Sequence, residues 1–162
     1  MVGLLIFSLI VGIACVPWTY FIITFGLPLW ASFIGSAVFF ACGGEKAGFI
    51  KTIPTIILGI LCAVGVTLAY TNIGGGLVGL SVYVGIAAFL IVVLSKIEFL
   101  AFVPASFAGF ATTFAVMTAF PKLSIVQQSS NTFLAMLAGI IISYVIQVVN
   151  GFMSVKADKS AA

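Results

Sequence analysis

The stretch W-A-S-F-I-G-S-A-V-F-F-A, residues 30–41, returns 74 positions later as P-A-S-F-A-G-F-A-T-T-F-A, residues 104–115. Seven of the twelve positions agree: Ala31/Ala105, Ser32/Ser106, Phe33/Phe107, Gly35/Gly109, Ala37/Ala111, Phe40/Phe114 and Ala41/Ala115. Matches in the same order flank this pair. S-L-I-V-G-I-A, residues 8–14, returns at 81–87 as S-V-Y-V-G-I-A, an offset of 73. Thr52 and Gly59-Ile60 return as Thr132 and Gly139-Ile140, an offset of 80. The growth from 74 to 80 fits a longer loop over 121–131 in the second half. The sequence therefore predicts two copies of one three-element unit, the first over about 3–71 and the second over about 76–153.

Composition says what those elements are. Hydrophobic residues make up 64% of the 162-residue chain and charged residues 6%, against roughly 25% charged in soluble domains. Six lysines and three acids cannot clothe a water-soluble globule of this size. Lipid must be the main solvent. No charged residue occurs before Glu45, room for two spans of about 20 residues. A cleaved signal peptide is a poor reading of the start, because no Lys or Arg precedes the apolar run. Cys15 follows Gly12-Ile13-Ala14, a weak match to a lipoprotein cleavage site.

Runs broken by Gly, Pro and charge give six predicted transmembrane helices, about 3–24, 27–43, 53–71, 76–95, 98–119 and 133–153. The expected fold is all-α and integral to the membrane, one transmembrane domain over 1–155 with a tail at 156–162 that reads as disordered. Pro17, Pro28 and Pro104 are predicted helix breaks, since each removes a backbone donor. With the N-terminus in the cytoplasm, Lys46, Lys51, Lys96, Lys156 and Lys159 fall inside and only Lys122 outside. That positive-inside bias predicts both termini in the cytoplasm. Three helices per copy is an odd number, so the second copy enters from the opposite face. The result is a 3+3 inverted-topology repeat.

The strings L-P-L-W-A-S-F-I-G-S-A-V-F-F-A-C (27–42) and F-V-P-A-S-F-A-G-F-A-T-T-F-A (102–115) resemble the small bacterial inner-membrane proteins grouped as domain-of-unknown-function family number 1097. The resemblance covers nearly the whole chain in length and span layout. It implies a bacterial inner-membrane location and carries over no catalytic residue.

The residues themselves exclude several chemistries. Histidine is absent, so no imidazole can bind metal or shuttle protons. Cys15, Cys42 and Cys62 have no metal-ligand spacing and read as buried small hydrophobes. With no base for any serine and no phosphate-binding glycine loop, neither enzyme activity nor a cofactor is expected. Arginine is absent and the lysines are scattered, which argues against nucleic acid as a partner. Of the three acids, Glu45 and Asp158 fall in predicted cytoplasmic segments, and Glu98 stands at the edge of the fifth predicted span, two residues from Lys96. It reads as an interfacial residue, or as a coupling group in an ion-driven transporter.

What remains is a passive route. Ser32, Phe33, Ser36 and Phe40 on the second helix, with Ser106, Phe107, Thr112, Thr113 and Phe114 on the fifth, form the predicted solute path. Hydroxyls and aromatic constrictions select by diameter and hydrogen bonding, which suits a small uncharged or weakly charged solute. The expected protein is a channel-like facilitator. It is also expected to be a homo-oligomer in the bilayer, because six short helices enclose little interior. Against this stands a second reading, a non-transporting assembly or regulatory subunit. Ala31-x-x-x-Gly35 and Ala105-x-x-x-Gly109 are small-x-x-x-small patterns that suit close helix packing alone.

Overall fold

The computed structural model describes residues 2–161; the side chains of Val2, Ala47 and residues 154–161 lie outside the description. The chain forms α1 (Val2–Thr24), α2 (Leu29–Ala41), α3 (Lys46–Ile73), α4 (Gly76–Leu94), a short 3-10 turn η1 (Glu98–Leu100), α5 (Val103–Ala119) and α6 (Ile125–Ala161). No strand occurs among the described residues. Helix satisfies every backbone donor and acceptor within the segment, as lipid requires of a spanning element that is not part of a closed barrel.

Four helices, α1, α3, α4 and α6, are long and apolar enough to cross a membrane. Helices α2 and α5 have 13 and 17 residues, so they extend about 20 and 26 Å against a hydrocarbon core of about 30 Å. Both are shorter than the sequence predicted. Gly43 and Gly44 turn the chain after α2, and the segment 98–102 is given to η1 and its flank. Helix α6 continues to Ala161, across the segment expected to be disordered.

The prolines divide into two kinds. Pro17 lies inside α1, as does Pro54 inside α3. Pro28 is the N-cap of α2 and Pro104 stands in the first turn of α5. Those two begin helices and do not break them, because a first-turn residue has no intrahelical N–H partner to lose. Other ends are set by local chemistry. Gly74, Gly75 and Gly76 all have positive φ, at 77°, 96° and 59°, which makes the tight turn between α3 and α4. Ser124 and Gln127 form a reciprocal cap at the start of α6. The Ser124 N–H donates to Gln127 Oε1 at 3.0 Å, and the Gln127 N–H donates to Ser124 Oγ at 3.3 Å.

The helices assemble as two interleaved bodies. Helix α2 packs most extensively on α6, and α5 on α3; α1 lies against α6, and α4 against α3. Body one is therefore α1, α2 and α6, and body two is α3, α4 and α5. In body one, α2 and α6 run the same way: Ser32 meets Gly139, Phe39 meets Tyr144 and Gly44 meets Gln147. In body two, α3 and α5 also run the same way, since Gly59 meets Ser106 and the Thr67 hydroxyl donates to Met117 Sδ at 3.3 Å. Helix α1 opposes α6, because Phe25 and Leu134 line one groove while Val11 and Ile146 line another.

Each body is closed by a glycine seam. A Cβ on Gly35 would strike the Met136 backbone, and one on Gly139 would strike the carbonyl of Ser32. In body two, a Cβ on Gly109 would strike the Ile56 backbone and one on Gly59 the carbonyl of Ser106. These helices meet main chain to main chain, and van der Waals contact replaces the hydrophobic drive that lipid cannot supply. The bodies join through α2, α3, α5 and α6 around a core of Ala31, Phe39, Ile56, Ala105, Met136 and Ile140.

Candidate functional site

Two faces of α2 have different surroundings. Ala31, Ser32, Gly35, Val38 and Phe39 are buried. Phe33, Ser36 and Phe40, at helical spacing, form a second face that lines a cavity of about 80 Å³ together with Val11, Cys15 and Trp18 of α1 and Ile142, Ser143 and Ile146 of α6. This cavity lies inside body one.

Its polar groups are few and defined. The Ser36 hydroxyl sits 3.0 Å from the Gly139 carbonyl and 3.2 Å from that of Ser32, so its proton is committed to the main chain and its lone pairs remain. Ser143 is 1% exposed, and its hydroxyl takes no hydrogen bond among the described residues. Trp18 donates its indole N–H to Ser32 Oγ at 3.3 Å, while Ser32 donates to the Leu29 carbonyl at 2.7 Å. That pair holds the indole against α2. Phe40 is braced by Phe7 edge-on at 6.4 Å.

The positions 73, 74 and 80 residues away in body two are filled differently. Ser36 corresponds to Phe110, Ser143 to Ala63, Trp18 to Ile91 and Cys15 to Ala88. Phe110 is 7% exposed and packs with Ala63, Val66, Ala87 and Ile91. Its ring meets Phe114 edge-on at 4.9 Å. At the sequence offset of 74, body two thus carries a buried benzyl group where body one carries Ser36.

The predicted solute path is not brought together. Ser32, Ser106, Thr112 and Thr113 are buried within the helix packing. Thr113 donates to the Gly109 carbonyl at 2.7 Å, whereas Ser106 Oγ and Thr112 Oγ1 are buried without a partner. Phe33 and Phe107 are 45% and 38% exposed and turn away from the contact between the bodies, as does Phe40. Only Phe33, Ser36 and Phe40 meet at one cavity. The reason is that lipid-facing and core-facing positions are both apolar in a membrane helix, so spacing gives a face without saying what it faces. Glu98 is exposed in the first turn of η1 and lines a groove of about 200 Å³ with Ile50, Lys51 and Phe99.

Cys15, Trp18 and Ser143 were not predicted as site residues. The sequence reads Cys15 as a buried small hydrophobe. One signal was available: at the sequence offsets of 74 and 80, the first half carries Ser where the second carries Phe at 36/110, and the last helix carries Ser where the third carries Ala at 143/63.

The chain matches the family described as "protein of unknown function (DUF1097)" over residues 8–151. It is 35% identical over 119 residues to inner membrane protein YcdZ of Escherichia coli strain K12, covering 69% of each chain. It is also 35% identical over 115 residues to inner membrane protein YcdZ of Salmonella typhimurium strain LT2, covering 69% of this chain and 71% of the other. No solved structure matches it. Together with four apolar helices long enough to span a bilayer, these likenesses identify a multi-pass inner membrane protein, and the chain belongs to the DUF1097 family.

Proposed function

We propose that this protein is a facilitator carrying a small uncharged or weakly charged solute across the inner membrane, built as a 3+3 inverted-topology repeat and working as a homo-oligomer. The observation that carries this reading is the equivalence of the two glycine seams. Gly35 on Met136 and Gly109 on Ile56 are the same contact displaced by 74 and 80 residues, and so are Gly139 on Ser32 and Gly59 on Ser106. Contacts repeated at the sequence offsets support two copies of one unit. Such pairs of opposed units are a recurrent design of transporters.

Both termini are assigned to the cytoplasm. Lys51 and Glu98 line one groove, so the start of α3 and the α4–α5 connection share a face. That face then collects Lys46, Lys51 and Lys96, the positive-inside side. Because the contact between the bodies is filled by the apolar core, the reading requires the bodies to shift against each other to open a route, with each seam moving as a unit. Uncoupled passage is favoured because the acids beside membrane segments, Glu45 at the N-cap of α3 and Glu98 in η1, are both exposed at the helix edges. The protein acts without enzyme chemistry.

Osmotic swelling of liposomes containing the purified protein tests this, with a panel of urea, acetamide, glycerol and formate. At least one solute should enter several-fold faster than in protein-free vesicles, and Glu98→Gln should leave that rate unchanged. Absence of flux across the panel overturns the proposal in favour of a non-transporting assembly subunit, a reading that the filled interior and tight seams favour.

A further inference from the structure

We infer that the cavity of body one is a binding site for a neutral solute of about four non-hydrogen atoms carrying both a hydrogen-bond donor and an acceptor, such as a small amide or alcohol. The site rests on geometry and stands whether or not the protein transports.

Size comes first. About 80 Å³ is roughly half of an engineered 150 Å³ cavity that admits benzene. It can hold a handful of heavy atoms but no sugar or amino acid.

Polarity is the second constraint. A dry void in a membrane protein is expected to be lined by hydrocarbon alone. This one presents Ser143, almost wholly buried with an uncommitted hydroxyl, and Ser36, whose proton is engaged and whose lone pairs are not. Ser143 can donate and accept; Ser36 can accept. In a low-dielectric setting an unpartnered hydroxyl is costly, so a ligand that bonds to it is favoured over an acyl chain. No ionisable carboxylate, lysine or imidazole lines the cavity, which leaves nothing to neutralise an ion. Trp18, Phe33 and Phe40 supply flat aromatic walls against the carbon skeleton of the solute. The Cys15 thiol opens onto the same space and serves as a reporter.

Phe110 of body two shows how the sequence closes such a space. Placing its side chain at the equivalent position through Ser36→Phe should fill the site.

The experiment measures the rate at which a small neutral methanethiosulfonate modifies Cys15 in lipid nanodiscs, in a full-length chain carrying Cys42→Ala and Cys62→Ala. Acetamide at tens of millimolar should slow the reaction at least threefold, and ethane at its solubility limit should not. Ser143→Ala, a change that keeps the cavity and removes the free hydroxyl, should weaken protection by acetamide at least fivefold. Ser36→Phe should slow modification with no solute present and abolish any further effect of acetamide. Three results overturn the site: no protection by acetamide, equal protection by ethane, or protection unaltered in Ser143→Ala. Protection without liposome flux keeps the site and removes the transport reading; flux without protection does the reverse.

Discussion

Gly35 of α2 lies directly on the main chain of Met136 in α6, with no room for a side chain between them. This contact, with Gly139 on Ser32, fixes how body one closes. Gly35→Ala and Gly139→Ala should each destabilise the protein by about 2–3 kcal/mol, the cost of overpacking against groups that cannot retreat. Gly109→Ala and Gly59→Ala should do the same in body two. Gly12→Ala and Gly85→Ala meet nothing within 4 Å and should be neutral or slightly stabilising, because alanine is the better helix former. Thermal unfolding in detergent, followed by the loss of monodisperse protein, checks all six.

Ser32 and Ser106 should respond with opposite signs to the same substitution. Ser32 accepts from Trp18 and donates to Leu29, so Ser32→Ala should cost about 1 kcal/mol and leave the indole unpaired. Ser106 Oγ is buried without a partner, so Ser106→Ala should be neutral or stabilising by about 1 kcal/mol. Unfolding midpoints of the two variants, with Trp emission as a second probe for Ser32→Ala, separate these outcomes.

Gln128 is buried at 6% exposure and its amide donates to the Phe120 carbonyl at 2.8 Å. It ties the end of α5 to α6. Gln128→Leu keeps the volume and strands that carbonyl, for about 1–3 kcal/mol. Hydrogen exchange at residues 117–124 should rise in this variant while the α2–α6 seam stays protected.

Orientation has a direct test. On the proposed topology, a cysteine placed at Lys122 in a chain stripped of its own cysteines should react with a membrane-impermeant maleimide in intact cells. Cysteines at Lys51 and Lys96 should react only after the membrane is opened. The reverse pattern would place both termini outside and remove the positive-inside argument.

Much of the architecture was legible because lipid leaves so few options. Long unbroken apolar runs in a chain with 6% charged residues read as membrane helices, and Gly and charge mark where they end. The small-residue pairs at Ala31/Gly35 and Ala105/Gly109 were readable as packing motifs, and their partners Gly139 and Gly59 appeared as faint echoes of one another. Partnership was not readable. Nothing in the sequence says that α2 seats on α6 and not on α3, its neighbour in the chain, because a glycine accepts any backbone that approaches. The orientation of α2 and α5 was equally hidden. Phe33 and Phe107 sit one residue from buried serines, yet the next helical step of about 100° carries them toward the outside. The third span was predicted to start at about 53, but α3 begins at Lys46, so Pro54 lies in its interior. Ser143 stood in an apolar run with no motif around it. Its significance depends on Cys15 and Trp18, residues brought to it only by the antiparallel contact of α1 with α6.

Interleaving also sets the order in which the molecule can be completed during synthesis. The link between α3 and α5 spans 50 residues, from Thr67 to Met117, whereas Ser36 waits 103 residues for Gly139. One trio can close as soon as its last helix leaves the ribosome. The other keeps its first two helices waiting in the bilayer until the final segment arrives. A nascent chain halted before α6 is thus left with the main chain of α2 bare on its glycine side, a surface that membrane quality control can recognise.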